Sequence, residues 1–104
     1  MSHLPTLNPG RILMTAGAMD ALIQAKQLPS EFLAKHCLGE WGDLDAHDAT
    51  ANRRALATGD CLLSSYKTAN DDVIWIVTDA VDMEIPGTVA HVRATTTMLL
   101  PSEY

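Results

Sequence analysis

Residues with the means to do chemistry fall in two places along the chain. The first is an acidic turn with Glu40, Asp43, Asp45 and Asp48, and with His36 and His47 near it. Carboxylates and imidazoles gathered in this way are the donor set of a divalent cation. The spacing nevertheless lacks the glycine and the terminal glutamate of an EF-hand loop. Asp45 and Asp48 also suit a helix cap and first turn, so capping and solvated charge are preferred, and no metal or cofactor is expected. The second place is near the C-terminal end, where His91, Arg93, Thr95 and Thr97 recur at period two. On one strand they would share a face and offer a general acid/base, a phosphate-stabilising guanidinium and positioning hydroxyls. That is the equipment of a ribonuclease-like toxin, with Tyr66 or Lys67 able to join from a neighbouring strand. The plainer assignment is the exposed face of a threonine-rich strand, where such residues are ordinary.

Trp41, set between Glu40 and the pair Gly42-Asp43, is a large apolar ring in a polar turn. It can serve as an interface anchor, because tryptophans dominate binding hot spots. The preferred assignment is structural: the ring folds back over the sheet and locks the junction between helices and sheet. The anchor role defines an expected protein-binding patch of Glu40, Trp41, Asp43, Asp45 and Asp48. Beyond the turn, Asp48 and Asn52 share a helix face and offer a polar fastening to the Trp41 turn. No Gly-x-Ser-x-Gly, phosphate-binding glycine loop or Cys-x-x-Cys is present, so no catalytic residues are assigned. Cys37 and Cys61 are too few and too far apart for a disulfide framework or zinc site, and are expected as small buried hydrophobes.

The elements that must position these residues follow from periodicity. Pro5, Asn8, Pro9 and Gly10 make residues 1–10 an irregular arm, and residues 11–104 form one domain. Arg11 to Met14 is a short strand or a lead-in. Thr15 caps a first helix with Ala18, Met19, Leu22 and Ile23 as its apolar stripe, closed by Gln27-Leu28-Pro29. Ser30 caps a second helix that buries Phe32, Leu33 and Cys37, with His36 beside them, and Gly39 stops it. Asp45 opens a third helix, alanine-rich and suited to packing on a sheet, and Gly59 closes it. Strands are then expected at Cys61–Lys67, Val73–Thr78 and Val89–Leu100, with a turn at Thr68–Asp72 and a loop at Asp79–Thr88. Val73–Thr78 is apolar on both faces, the mark of a central strand, and a dimer partner is one means of covering its second face. The fold class is therefore α+β, a helical N-terminal half packed on a three-stranded antiparallel meander, with an optional extra N-terminal strand.

The balance of charge narrows the partners. The 104 residues carry a formal charge of −6, with 47% hydrophobic and 5% aromatic residues. An acidic surface repels phosphate, so direct nucleic-acid binding and anionic membranes are disfavoured, while a basic protein partner or a nuclease with a local cationic site is compatible with it. The longest apolar run is too short for a membrane span, and a reduced, cytoplasmic protein is expected.

The runs GRILMTAGAMDAL, EFLAKH, GEWGDLDAHDATANRRAL, GDCLLSSY, IWIVT and TTTMLLPSEY resemble a group of short bacterial proteins found on plasmids and other mobile elements. Members are labelled plasmid-related, and some a type I restriction subunit, although a chain of this length cannot hold a methyltransferase domain. The resemblance spans residues 10–104 and departs from the pattern between Ala80 and Ala94, where Val81–Val92 looks like an insertion. It implies a role in plasmid maintenance or evasion of host defence and transfers no catalytic residues. The combined expectation is a small non-enzymatic interaction factor acting on restriction or CRISPR machinery. A ribonuclease-like toxin is the first alternative and a ligand-binding or structural homodimer the second.

Overall fold

The computed structural model describes Leu7 and residues 9–84, 91–93 and 95–104, with the side chains of 81–84 and 91–93 outside that description. Helix α1 (Ala16–Ala25) begins at Thr15, whose hydroxyl accepts the Ala18 N–H at 3.1 Å, and it ends at Lys26 in a left-handed conformation. Helix α2 (Pro29–Cys37) begins one residue before Ser30, the expected cap. Leu28 is the residue before the helix and Pro29 occupies its first turn, where a missing N–H costs nothing. Helix α3 (Ala46–Thr58) starts at Asp45, whose carboxylate accepts the Asp48 N–H at 2.8 Å, and ends at Gly59 with φ 84°.

Strands β1 (Arg11–Met14), β2 (Leu62–Lys67) and β3 (Val73–Thr78) join the main sheet, whereas β4 (Val81–Glu84) and β5 (His91–Arg93) pair with each other in a separate ribbon. The last strand, β6 (Thr95–Leu99), returns to the main sheet and gives the order β1-β6-β3-β2. The β2–β3 and β3–β6 pairs are antiparallel, but β1 lies parallel to β6, so the sheet is mixed and four-stranded rather than a three-stranded meander. Two further expectations are corrected. Asp79–Thr88 is not wholly a loop, because β4 starts at Val81. Val89–Leu100 is not one strand: its Thr- and Val-rich composition serves two strands in two different sheets, with no Gly or Pro between them.

Alternation sets the core. Even-numbered residues of β2, β3 and β6 face the helices and are buried, from Leu62 and Tyr66 through Ile74 and Ile76 to Met98. Helix α1 packs on β6 through the Ala18, Ala21 and Leu22 side, leaving Met19 and Ile23 exposed, against the expected stripe. Helix α2 lies over β2 and β3, where Phe32 meets the Tyr66 ring at a 5.5 Å centroid separation. A second cluster, Leu7, Cys37, Trp41, Ala55 and Leu62, forms under α3. The opposite face of β3, with Val73, Trp75 and Val77, is only half-buried, and a 3-10 turn (Pro101–Glu103) brings Tyr104 edge-on to Trp75 at 5.7 Å.

Candidate functional site

The acidic turn is fixed to the outer edge of β2 by its own backbone. The Ser65 N–H donates to the Trp41 carbonyl at 3.2 Å, and the Asp43 N–H donates to the Ser65 carbonyl at 2.8 Å. Gly42 between them forms an isolated parallel bridge with Ser65. Its φ is +73°, and a Cβ there would overlap the Ser65 carbonyl oxygen and come within 2.8 Å of the Tyr66 ring. Only glycine fits. The Tyr66 hydroxyl donates to the Glu40 carbonyl at 2.6 Å. Burial, helped by the nearby Glu40 charge, pushes that phenol up to about 12, so it stays a neutral donor.

Two residues earlier along β2, at Leu63, the Asn52 side chain continues the closure. Its amide nitrogen donates to the Leu63 carbonyl at 2.6 Å, and its oxygen accepts the Leu63 N–H at 3.2 Å. A primary amide presents the same donor and acceptor as a peptide group, so Asn52 stands in for a neighbouring strand. The fastening foreseen for Asn52 therefore exists, but to the sheet edge and not to the Trp41 turn.

Above this frame the expected patch divides. Glu40, Asp43, Asp45 and Asp48 are all exposed, with Asp45 also serving as the cap of α3. Trp41 is buried, its ring packed with Leu7, Cys37, Ala55 and Leu62, so it supports the turn from beneath. Its indole N–H has no hydrogen-bond partner among the described residues. Beside the turn an open groove of about 420 Å³ is lined by Lys35, Glu40, Trp41, Gly42 and Tyr66. Among the described residues no three His, Cys, Asp or Glu side chains converge as a metal site would require.

The second expected constellation is not brought together on one strand. His91 and Arg93 belong to β5, and their side chains lie outside the described part. Thr95 and Thr97 belong to β6, in the other sheet, and the Thr95 hydroxyl donates to the Asp79 carboxylate.

A polar chain that the sequence reading missed runs through the core beneath the groove. His36, Ser64, Thr78 and Thr96 are fully buried. The His36 Nδ1 meets the Ser64 hydroxyl, and its Nε2 lies 2.8 Å from Thr78 Oγ1. Thr78 Oγ1 lies 2.7 Å from Thr96 Oγ1, which donates to the Pro9 carbonyl at 2.8 Å. Counting protons fixes the direction. Thr96 spends its one proton on Pro9 and must accept from Thr78, which must then accept from His36. The imidazole therefore carries its proton on Nε2 and accepts from Ser64 at Nδ1. Burial lowers His36 to about 4, so the ring is neutral near pH 7. A serine donating to a histidine is the start of a nucleophile–base pair, but here both are sealed from solvent. The chain instead ties α2 to β2, β3, β6 and the segment before β1. A signal was available: Ser64, Thr78 and Thr96 sit in strand positions whose neighbours on the same face are Leu62, Ile76 and Met98. Hydroxyls in an apolar row require a buried partner.

No protein-family model, curated protein or solved structure matches this chain.

Proposed function

We propose that the protein is a small non-enzymatic interaction factor whose rim of Glu40, Asp43, Asp45 and Asp48 docks on a basic groove of a partner protein. One observation carries this reading: exposed carboxylates stand on a turn whose backbone is pinned to β2 at Ser65 and buttressed by buried Trp41. A rim held in place before contact loses little conformational freedom on binding, which raises affinity without added area. The formal charge of −6 supports the same choice of partner, since it steers the chain toward cationic surfaces. Grooves that hold nucleic acid in restriction or CRISPR machinery have the required sign. The likeness to proteins of plasmids and mobile elements makes such a target the favoured one.

The test is recovery of partners from host lysate by wild type and by an Asp43→Lys, Asp48→Lys variant. Neither substitution removes the Asp45 cap or the Ser65 backbone bonds. A partner with a basic groove should be recovered at least tenfold less by the variant, and less at high salt. Equal recovery of every partner removes the rim from consideration.

A further inference from the structure

The sheet has a second edge, and among the described residues it is open. The Thr15 N–H donates to the Met98 carbonyl at 2.9 Å, so odd-numbered residues of β1 point their backbone groups at β6. By alternation, the N–H and C=O groups of Ile12 and Met14 point outward, and among the described residues no strand lies on that side. Of the seven large apolar side chains left exposed among the described residues, Ile12 (41%) and Leu13 (39%) lie on β1 itself. Met19 (49%) and Ile23 (65%) lie on α1, on the flank opposite Ala21 and Gly17. Because α1 covers β6 and α2 covers β3 and β2, that flank is the one nearer β1. Backbone edge and apolar flank thus form one border, whose only charged strand residue is Arg11.

We propose that β1 pairs antiparallel with β1 of a second copy of this chain, about a twofold axis through Leu13. The occupant follows from the pattern of groups. An antiparallel copy centred on Leu13 sets Ile12 opposite Met14 of the partner and Met14 opposite Ile12. Those are the residues with outward N–H and C=O, so each pair exchanges two hydrogen bonds and the unpaired groups of both copies are satisfied together. A perpendicular twofold keeps the helices of both copies on one face, which brings the Met19 and Ile23 flanks toward each other. The two Arg11 residues fall about 13 Å apart, at roughly 3.3 Å per residue. That exceeds the Debye length of about 8 Å at physiological ionic strength, so they do not oppose the contact. An edge this short sits below the standard interface of roughly 800 Å² per partner, in the size class of weak contacts, so the dimer depends on concentration.

Sedimentation velocity from about 1 to about 500 µM, a span on the order of that over which weak contacts associate, tests the assignment. The mass should rise from the monomer value of 11.2 kDa toward twice that value. Ile12→Pro removes an outward donor while leaving the β1–β6 bonds, and should weaken the dimer at least tenfold. Leu13→Lys places like charges opposite one another at the axis and should abolish it, as should Leu13→Glu. Mixing those two variants should restore a dimer, an outcome that a merely destabilised fold would not produce. Far-UV circular dichroism confirms that each variant is folded. A wild type that stays monomeric through 500 µM, or a mixture no more associated than its parts, overturns the proposal.

Discussion

Along β2 the outward groups of Leu63 are held by the Asn52 amide and those of Ser65 by Trp41 and Asp43, while along β1 those of Ile12 and Met14 meet no strand among the described residues. Both are edges of one four-stranded sheet, and an unguarded edge invites another chain to pair with it. The chain devotes the stretch from Gly39 to Gly59 to closing one edge. That closure has a by-product, because the turn that seals β2 must present its remaining side chains to solvent, and those are carboxylates. At β1 no proline or lysine guards the strand, and its side chains are mostly aliphatic. A guarded edge and a sticky edge therefore divide two kinds of contact, polar at one border and apolar at the other.

The largest disturbance of this contrast is Gly42→Ala. Forcing a Cβ into the left-handed conformation costs about 1–2 kcal/mol, and the overlap with the Ser65 carbonyl must also break the bridge. A total loss of about 3 kcal/mol is expected in urea unfolding, with the Trp41 indole resonance displaced and that of Trp75 little changed. Nearly as large is an effect of acid, which acts on the buried chain joining Ser64 of the closed edge to Pro9 beside the open one. His36 has a folded value of about 4, below its ordinary 6.5. Above pH 6.5 both folded and unfolded chains hold it neutral and its contribution is fully present. Between 6.5 and 4 the unfolded chain takes up a proton that the folded one refuses, so stability falls by about 3 kcal/mol across that window. Chemical denaturation at a series of pH values measures this, and the same component should vanish in His36→Gln. Smaller again is Asn52→Ala, which leaves the Leu63 N–H and C=O without their amide partner and should cost about 2 kcal/mol. If Asn52→Ala is neutral, the edge does not depend on the side-chain mimic.

Much of this architecture could be read before the structure. Asp45, Asp48 and Gly59 bounded α3 because capping chemistry is local, and Val73–Thr78 stood out as a continuous apolar run. The parallel pairing of β1 with β6 could not be read, since Arg11 meets Thr95 across most of the chain and no local signal encodes so distant a register. Likewise, the break between β5 and β6 carries no turn residue, so two strands looked like one. At the candidate site the four exposed carboxylates were legible from composition, and so was a Trp41 ring folded back at the junction, whereas its neighbours were not: Leu7, Cys37 and Ala55 reach it only through the tertiary fold. Asn52 illustrates the same limit. Its helix position was clear, but its duty depends on where Leu63 lies.

Amide hydrogen exchange in dilute solution, where copies do not associate, tests the contrast between the two edges most directly. The N–H groups of Leu63 and Ser65 should be strongly protected, although they point away from the sheet, while those of Ile12 and Met14 exchange at least a hundredfold faster. Protection at Leu63 and Ser65 as weak as that at Ile12 and Met14 would show that the Gly39–Gly59 stretch does not close the edge, and the account would fail at its centre.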